Sequence, residues 1–490
     1  MSAELALLGV LATPVLQALL VLALQRPPGL RDVVHIVGAL ITALCALRLV
    51  GAAAEQESVR LVLAQPLPNV GLAFVVEPLG ALAAAALSGL GVLHAVHAAG
   101  MVRATQEKAP ARLMAFIALA AAATMAVAFS ANLFTFFVAY QALTLAVFPL
   151  VAHRGDEEAR RAGRTFLATL LTASMGLFLP AMIWTYAIAG ALDFQPGGML
   201  AGKVDIPTAN ILLVLFVLGL AMAAMPPLHR WLPESSKAPD PALVTIQGLA
   251  IIPAGGIGVI KVAAFVFGPA LIEARLASLA LIGLAGVGMC VAALIALSRR
   301  DLRERLAYSC MAQSLAVVMG ALVALPMGLF AAALQIVALA CAATTLSMAV
   351  GTSAAITTRR NVEDYVGLGR VMPWTFAGFA LASASMIGMP PFSGAWAKLW
   401  LITALGAPAG GLMWAAALVG VAAVLTFAHL GPLAASALSG KAPTDAFKRP
   451  DGASILLAAP VILGAAATLS LLVLADSLAR FLSPIWNSAP

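Results

Sequence analysis

The sequence has little charge for its length. Only 10% of the 490 residues are charged, whereas 62% are hydrophobic. A soluble domain typically carries about 25% charged residues, so this deficit excludes an ordinary water-soluble domain and indicates that lipid is the main solvent. The net charge of +7 comes from basic residues scattered through short loops. Without a basic patch, that charge gives no support to nucleic-acid binding.

Cysteine is scarce as well. Cys45, Cys290, Cys310 and Cys341 all lie in apolar segments and lack metal-ligand spacing, so we expect them to be small core residues. The sequence also lacks a nucleotide loop, a dinucleotide fingerprint, a nucleophile elbow and a zinc signature. No cofactor, metal or catalytic centre is therefore predicted for this chain. Any electron chemistry would belong to partner subunits, which leaves open whether the chain is part of an oxidoreductase or hydrogenase complex.

Long apolar stretches dominate the sequence instead. Because a bilayer offers no water to backbone groups, spanning segments must be helices or closed barrels. A membrane helix needs about 20 apolar residues, and we predict an all-α integral membrane protein with about fourteen transmembrane helices. Their positions are near 4–24, 34–54, 78–99, 111–129, 131–152, 165–190, 209–228, 241–267, 275–298, 304–324, 327–351, 374–405, 411–437 and 454–475. Residues 58–76 are short, β-branched and split by prolines, which predicts a small hairpin outside the bilayer.

The distribution of basic residues sets the predicted orientation. With the N-terminus outside, 21 of the 28 Lys and Arg residues fall in loops assigned to the inside, four fall outside and three lie in spans. Cytoplasmic loops of membrane proteins carry such an excess. We therefore predict a multi-pass membrane protein with its N-terminus outside.

Two spans are interrupted by the same three residues. "MPPLHRWLPESSKAPDP" at 225–241 and "MPPFSGAW" at 389–396 both begin with Met-Pro-Pro. Proline removes a backbone donor and clashes with the preceding turn, so each pair interrupts its helix. Paired broken helices indicate a transporter site built from internal repeats. Ordinary proline kinks in two unrelated helices are the alternative interpretation.

The breaks fall in predicted spans 7 and 12, so the units that contain them have opposite orientations. Spans 4–8 and 9–13 are thus predicted to be inverted five-helix repeats. The predicted organisation is a three-helix unit with the hairpin at 1–110, the first repeat at 111–267, the second at 275–437, and a C-terminal helix and tail at 454–490.

These segments carry a family resemblance. "PPLHRWLPESSKAPDP" resembles the broken-helix motif of antiporter-like subunits: the proton-pumping subunits of respiratory complex I, their group 4 membrane-bound hydrogenase relatives, and D-type subunits of multisubunit cation/proton antiporters. "RRDLRERLAYSCMAQ" at 299–313, "EDYVGLGRVMP" at 363–373 and "GMPPFSGAWAKLW" at 388–400 resemble further segments of that family. The resemblance implies a subunit of a multisubunit proton- or cation-translocating complex. Its partners would be other membrane subunits, with or without a peripheral soluble module, and the lipid bilayer.

The resemblance also implies a central line of ionisable groups, which this sequence mostly lacks. The family's glutamate in span 5 corresponds to Gln141, and its lysine in span 7 corresponds to Met222. A lysine expected in span 8 corresponds to Ile251 or Ile252. Only Lys398 in span 12 matches a family lysine.

Five residues are candidates for a proton or ion path: Lys398, His229, His429, Gln141 and Lys261. An ionisable residue inside the membrane is a functional candidate by default. For the two lysines, the alternative is a side chain that reaches the interface along its stem. For His229, the alternative is a structural hydrogen bond to carbonyls freed by the break.

Three other residues of span 3 receive structural predictions. His94 and His97 lie three residues apart on one helix face, and nothing near them in sequence completes a metal-binding set. Glu77 begins the span, where an acidic side chain stabilises the start of a helix.

The depleted line leaves three functional hypotheses open. The subunit either conducts by a reduced path through Lys398, His429, Gln141 and water, or it has no pumping activity. In the second case it serves as a scaffold or coupling subunit, for example of a solute or inorganic-carbon uptake assembly. A free-standing secondary transporter is the third hypothesis.

Overall fold

The structure, a computed structural model, describes most of the chain. The described residues are 1–67, 70–272, 276–323, 325–407, 411–441 and 454–485. Three residues of the charge count, Arg275, Lys448 and Arg449, lie outside them, as does the end of the predicted tail at 486–490.

Helices form nearly all of the described chain, which confirms the all-α membrane fold. The first part contains α1 (Ala3–Ala23), α2 (Pro28–Ala54), α3 (Pro78–Thr105), α4 (Pro110–Phe129), α5 (Leu133–Val151), α6 (Glu157–Ala173), α7 (Leu179–Ala189), α8 (Ile206–Gly219), α9 (Trp231–Glu234), α10 (Asp240–Val244), α11 (Ile251–Lys261) and α12 (Pro269–Ile272). The second part contains α13 (Leu276–Ser298), α14 (Leu302–Leu322), α15 (Pro326–Thr357), α16 (Pro373–Ile387), α17 (Ser393–Gly406), α18 (Met413–Ser439), α19 (Ser454–Ala467) and α20 (Ser470–Leu482).

The predicted hairpin at 58–76 is confirmed. Strands β1 (Arg60–Leu67) and β2 (Val70–Val75) pair antiparallel. The hairpin is fixed to the start of α5, where the Asn132 side-chain amide donates to the Gly71 carbonyl at 2.8 Å and the Thr135 hydroxyl accepts from the Ala73 amide at 2.9 Å. The beginning of α5 is therefore held from outside the helical bundle.

Among the described residues, eleven helices are long and apolar enough to cross a membrane, or twelve when the bent pair Ile455–Ala467 and Ser470–Ile485 is taken as one span. The two predicted spans outside this count are those that contain Met-Pro-Pro. In the first, α8 ends at Gly219, and in the second, α16 and α17 lie on either side of a gap. Prolines shorten each helical piece below the length that a bilayer requires.

Each predicted five-helix unit has the same order of elements in the structure. Three unbroken spans precede the broken span, and one span follows it. This order agrees with the predicted repeats, and their inverted relation stays a prediction.

The eighth span, Asp240–Phe267, and α15 lie at the centre of the fold. The most apolar stretch of each is fully buried, whereas only 33% of the corresponding stretch of α2 is buried. Two π-helical segments, Thr245–Leu249 and Val262–Phe267, flank α11 within the eighth span. The first Met-Pro-Pro region packs directly on α11, because a Cβ atom at Gly255 would collide with the backbone of Ala223.

Candidate functional site

The second break places Lys398 against the end of a helix. The Nζ atom of Lys398 donates to the carbonyls of Met386 and Ile387 at 2.7 and 2.8 Å. These carbonyls end α16, where no further turn of helix can satisfy them. Gly388 continues the chain with a φ of +95°, and a side chain there would also meet the stem of Lys398. The lysine is buried, so the structure does not support the alternative of a side chain that reaches the interface.

The first break is held by neutral groups. The Trp231 indole donates to the Ala221 carbonyl at 2.9 Å, and the Ser314 hydroxyl donates to the Ala223 carbonyl at 2.8 Å. The Tyr140 hydroxyl accepts from the Met222 amide at 2.9 Å. Both partners in each of these hydrogen bonds are buried. Freed backbone groups at this depth are thus satisfied by protein, as required within a membrane.

Gln141 lies apart from this break. Its side-chain oxygen accepts from the Ser174 hydroxyl at 3.2 Å, and its side-chain nitrogen has no hydrogen-bond partner in the described part of the chain. The neighbouring Tyr140 is the residue of α5 that contacts the first break. The sequence analysis selected the correct turn of α5 through Gln141, but it did not select Tyr140 as the residue that contacts the break.

Glutamines form a central polar cluster that was not predicted from the sequence. The Gln335 amide donates to the Gln313 side-chain oxygen at 3.0 Å, and the Ser347 hydroxyl donates to the Gln247 side-chain oxygen at 3.0 Å. Each of these four residues is buried. We call Gln247, Gln313, Gln335 and Ser347 the amide cluster. The available signal was an isolated polar residue within three apolar spans, which is expensive unless it has partners.

Lys261 is part of a buried ion pair. Its Nζ atom lies 2.5 Å from the Glu77 carboxylate and donates to the Ser130 carbonyl at 2.9 Å. It also lies 5.2 Å from the centre of the Phe194 ring, within cation–π range. Lys261 is fully buried, so the interpretation as a lysine that reaches the interface from a nearby span end is wrong. The carboxylate that compensates its charge is Glu77, for which only a helix-start role was predicted.

A second buried ion pair connects the two halves of the chain. Arg303 of α14 lies 2.5 Å from Asp240, the first residue of α10. Arg305, on the same helix, donates to the carbonyls of Leu297, Arg299 and His429. Both arginines were counted on the inner side, at the boundary of the predicted span near 304–324, and the structure places both within α14, which begins at Leu302. They are buried because these partners replace water.

His229 and His429 show no side-chain hydrogen bond in the described structure. The Nδ1 atom of His229 is buried without a partner, and so are both ring nitrogens of His429. His229 therefore does not bridge the ends of the first break. The backbone carbonyl of His429 accepts from Arg305, which places the residue beside that arginine.

His94 and His97 bond to hydroxyl groups. The Nε2 atom of His94 lies 3.1 Å from the Thr245 hydroxyl, and that of His97 lies 3.0 Å from the Thr352 hydroxyl. The described residues contain no group of three or more potential metal ligands. Both rings connect α3 to the central spans.

Outside the spanning segments, Lys237 contacts an acidic side chain near the start of each of two helices, α6 and α14. Its Nζ atom lies 3.0 Å from Glu158 and 3.6 Å from Glu304. The hydrogen bond to Glu158, with the charge of both carboxylates, raises the pKa of Lys237. The segment after the first break is therefore fixed by charge to both α6 and α14.

This fold and its broken, polar centre define a class: antiporter-like, multi-pass membrane subunits. The family described as "NADH:quinone oxidoreductase/Mrp antiporter, TM" matches residues 130–426. The match covers more than half of the chain, and the chain belongs to this family. This confirms the resemblance inferred from the Met-Pro-Pro segments.

Individual relatives agree with this membership. The chain is 29% identical over 347 residues to NADH-quinone oxidoreductase subunit N of Desulforudis audaxviator, covering 68% of this chain and 67% of that protein. It is 25% identical over 275 residues to the D-type subunit of a Na(+)/H(+) antiporter of Alkalihalophilus pseudofirmus, covering 56% and 55%. The chain thus matches between about half and two thirds of these relatives' lengths.

Solved structures share the whole fold. A chain of the Mrp complex from Dietzia superposes with a TM-score of 0.86 at 21% identity, covering 99% of this chain and 98% of that one. A chain of respiratory complex I from Thermus thermophilus superposes with a TM-score of 0.82 at 22% identity, with 98% coverage of both. At these identities the likeness concerns the fold alone.

Proposed function

We propose that this chain is the antiporter-like subunit of a multisubunit complex that moves protons or other cations across a prokaryotic inner membrane. Its partners are other membrane subunits, and its N-terminus lies outside. Residues 111–267 and 275–437 act as two inverted repeats. Support comes from the family, from relatives named as subunits of such complexes, and from the bias of basic residues toward one set of loops.

The observation that carries the proposal is the contact of Lys398 with two helix-end carbonyls. A charged lysine has three N–H donors and acts as a cation at the end of α16, where the helix dipole is negative. A neutral amine keeps two N–H donors, which equals the number of carbonyls that Lys398 contacts. Both carbonyls therefore keep a hydrogen-bond donor whether Lys398 is charged or neutral. A residue that takes up and releases a proton without disturbing the break requires this.

Access to Lys398 comes from a pocket of about 370 Å³ between α17 and α18. Its lining includes Gly388, Trp396, Lys398 and Val419. The rest of the lining is mostly apolar, and we propose the pocket as the route by which Lys398 exchanges protons without disrupting its contact with α16. His429 lies further along α18, and we propose it as a second group of the path in this half.

In the first half, neutral hydrogen bonds replace the family's charged line. Gln141 and Met222 cannot take up a proton, and Tyr140, Trp231 and Ser314 hold the break without a change of charge. We therefore assign proton uptake at a broken helix to the second break and a supporting role to the first break.

The test is proton flux in proteoliposomes that contain the complex purified through this chain. Lys398→Arg keeps several N–H donors for Met386 and Ile387 but cannot release its proton. We expect this variant to assemble and to lower the flux about tenfold or more, the size of effect typical for loss of a positioned acid–base group. A pH-sensitive dye inside the vesicles reports the flux.

The matched control is Lys203→Arg, because Lys203 is exposed between α7 and α8. It should leave both assembly and flux unchanged. Unchanged flux in an intact Lys398→Arg complex would refute the assignment of Lys398. Purification of the chain without any partner would contradict the multisubunit proposal.

A further inference from the structure

A cavity lies between the N-terminal helices and the eighth span, away from both breaks, and six polar residues interrupt its mostly apolar lining. It measures about 50 Å³, and one water molecule requires roughly 10–15 Å³ of such space. The cavity therefore has room for a few waters. Its polar lining residues are Gln17, His35, Thr42, Ser88, His94 and Thr245.

The contacts of Gln17 define which nitrogen of His35 carries hydrogen. The Gln17 side-chain nitrogen lies 2.9 Å from the His35 carbonyl, which accepts only from a donor, and 2.9 Å from the Nδ1 atom of His35. Because an amide nitrogen has two hydrogens, it donates to both. Nδ1 is then an acceptor, and the neutral ring carries its hydrogen on Nε2.

The same reasoning, applied to His94, shows that its unpartnered nitrogen is an acceptor rather than a donor. The Thr245 hydroxyl donates to the Pro241 carbonyl at 3.2 Å, so its oxygen accepts from the Nε2 atom of His94 at 3.1 Å. The Nδ1 atom of His94 is then unprotonated. Both histidines are only 1% exposed.

The two histidines present complementary atoms without partners. The Nε2 atom of His35 is a donor and the Nδ1 atom of His94 is an acceptor, and neither has a hydrogen-bond partner within the residues that the structure describes. Unpaired buried polar atoms are expensive. Both residues line a cavity with room for water, and a bridging water would satisfy the donor on one side and the acceptor on the other.

Residues that line the cavity lie close in sequence to a charged group near the surface and to the amide cluster at the centre of the fold. On one side, His35 lies three residues after Asp32, whose carboxylate contacts Arg31 and the half-exposed Arg103, each at 2.7 Å. On the other side, Thr245 begins the π-helical segment that contains Gln247 of the amide cluster.

We propose that this cavity is a hydrated proton-transfer site, in which the Nδ1 atom of His94 takes up a proton from cavity water. An O–H bond of protonated water breaks, an N–H bond forms at Nδ1, and His94 becomes a cation; the reverse step returns the proton. His35 and Gln17 are positioning residues that orient the water. The site rests on the proposed transport function and supplies the titratable group that the first half lacks at Gln141 and Met222.

Other ionisable groups surround His94 on each side. His35 faces it across the cavity from α2, and His97 lies one turn further along α3. The eighth span contributes Asp240, which is paired with Arg303. No carboxylate contacts the His94 ring in the described ranges, so the cationic form is transient rather than a resting ion pair.

A cavity-filling variant tests the site without changing any of its polar residues. Gly91 lines the cavity, and an added Cβ atom there would meet nothing within 4 Å. Gly91→Leu therefore displaces the water. Gly89 lies on the lipid-exposed side of the same helix, also with open space, and Gly89→Leu is the matched control.

The primary readout is solid-state NMR of the complex in bilayers, with ¹⁵N-labelled histidine and magnetisation transferred from water. The His94 signals are assigned with His94→Gln. We expect transfer from water to Nδ1 of His94 in the wild type and in Gly89→Leu, and its loss in Gly91→Leu. Absence of transfer in the wild type, or its persistence in Gly91→Leu, would overturn the proposal.

Flux separates this site from the transport proposal. We expect Gly91→Leu to lower proton flux about tenfold while Gly89→Leu does not. Wild-type flux that disappears in Lys398→Arg but not in Gly91→Leu would refute the cavity's role and leave the transport function standing. If the wild-type complex shows no flux, the transport function fails, and the NMR result still decides whether the cavity holds water at His94.

Discussion

The two Met-Pro-Pro breaks have the same sequence but are held by different chemistry. In the first, an indole and two hydroxyl groups bond to the backbone around Met222. In the second, the ammonium group of Lys398 bonds to the end of α16. The C-terminal helices also cover the second break, where the Ser393 amide donates to the Thr468 carbonyl at 2.6 Å.

This difference separates the structural role of a broken helix from its role in transport. Both sets of partners satisfy the freed backbone groups, so the break alone does not require an ionisable side chain. Only the second set includes an amine that is ordinarily charged. The architecture thus persists at a break whose backbone groups are satisfied by an indole and two hydroxyl groups alone.

The largest expected effect comes from giving the first break the family's lysine. Met222 is fully buried, and no carboxylate contacts it among the residues described. Met222→Lys would bury an uncompensated charge, which costs several kcal/mol. We expect a large fall in the thermal unfolding midpoint of the detergent-purified complex, or failure to assemble.

Met222→Leu is the control, because it nearly preserves volume and should cost less than about 1.5 kcal/mol. A Met222→Lys protein as stable as the wild type would show that the first break already contains enough water to solvate a charge. The two breaks would then differ in sequence but not in their ability to accommodate a charged side chain.

A smaller effect is expected from the indole at the first break. Trp231→Phe keeps most of the ring but removes the donor to the Ala221 carbonyl, and an unsatisfied buried carbonyl costs about 1–3 kcal/mol. Trp396, near the second break, donates to no carbonyl in the described structure. We therefore expect Trp396→Phe to lower the unfolding midpoint less than Trp231→Phe. Equal shifts would mean that ring packing, not the hydrogen bond, holds the first break.

The features that depend on neighbouring residues in the sequence were predicted correctly. Prolines interrupt a helix wherever they occur, so both breaks were located from Met225 and Met389 onward. The hairpin followed from β-branched residues and a proline-rich turn. Apolar length gave the spans, apart from the two that the prolines divide.

The buried pairs could not be predicted because their partners are distant in sequence. Arg303 and Asp240 are 63 residues apart, and Gln247 and Ser347 are 100 apart. Arginines near a loop look solvated until the helix that buries them is known. A single glutamine in an apolar span likewise shows a polar group but not the partner that satisfies it.

The smallest expected effect is the pH dependence contributed by His153, which lies outside both breaks. Its Nε2 atom donates to the Lys108 carbonyl at 2.8 Å. Burial lowers the pKa of His153 below the ordinary 6.5, an effect that nearby Arg112 and Arg154 reinforce and that Glu107 opposes. Below pH 6.5 the unfolded chain therefore binds more protons than the folded one, and stability falls as the pH drops toward the lower, folded pKa.

His153→Gln removes the titrating ring but keeps an N–H donor for the Lys108 carbonyl. We expect the unfolding midpoint of this variant to fall less than that of the wild type between pH 7 and pH 5. The effect is the smallest because it involves the protonation of a single ring. An identical pH dependence in both proteins would assign the acid sensitivity to other groups. Lys398→Arg could then be compared with the wild type at low pH without a contribution from this histidine.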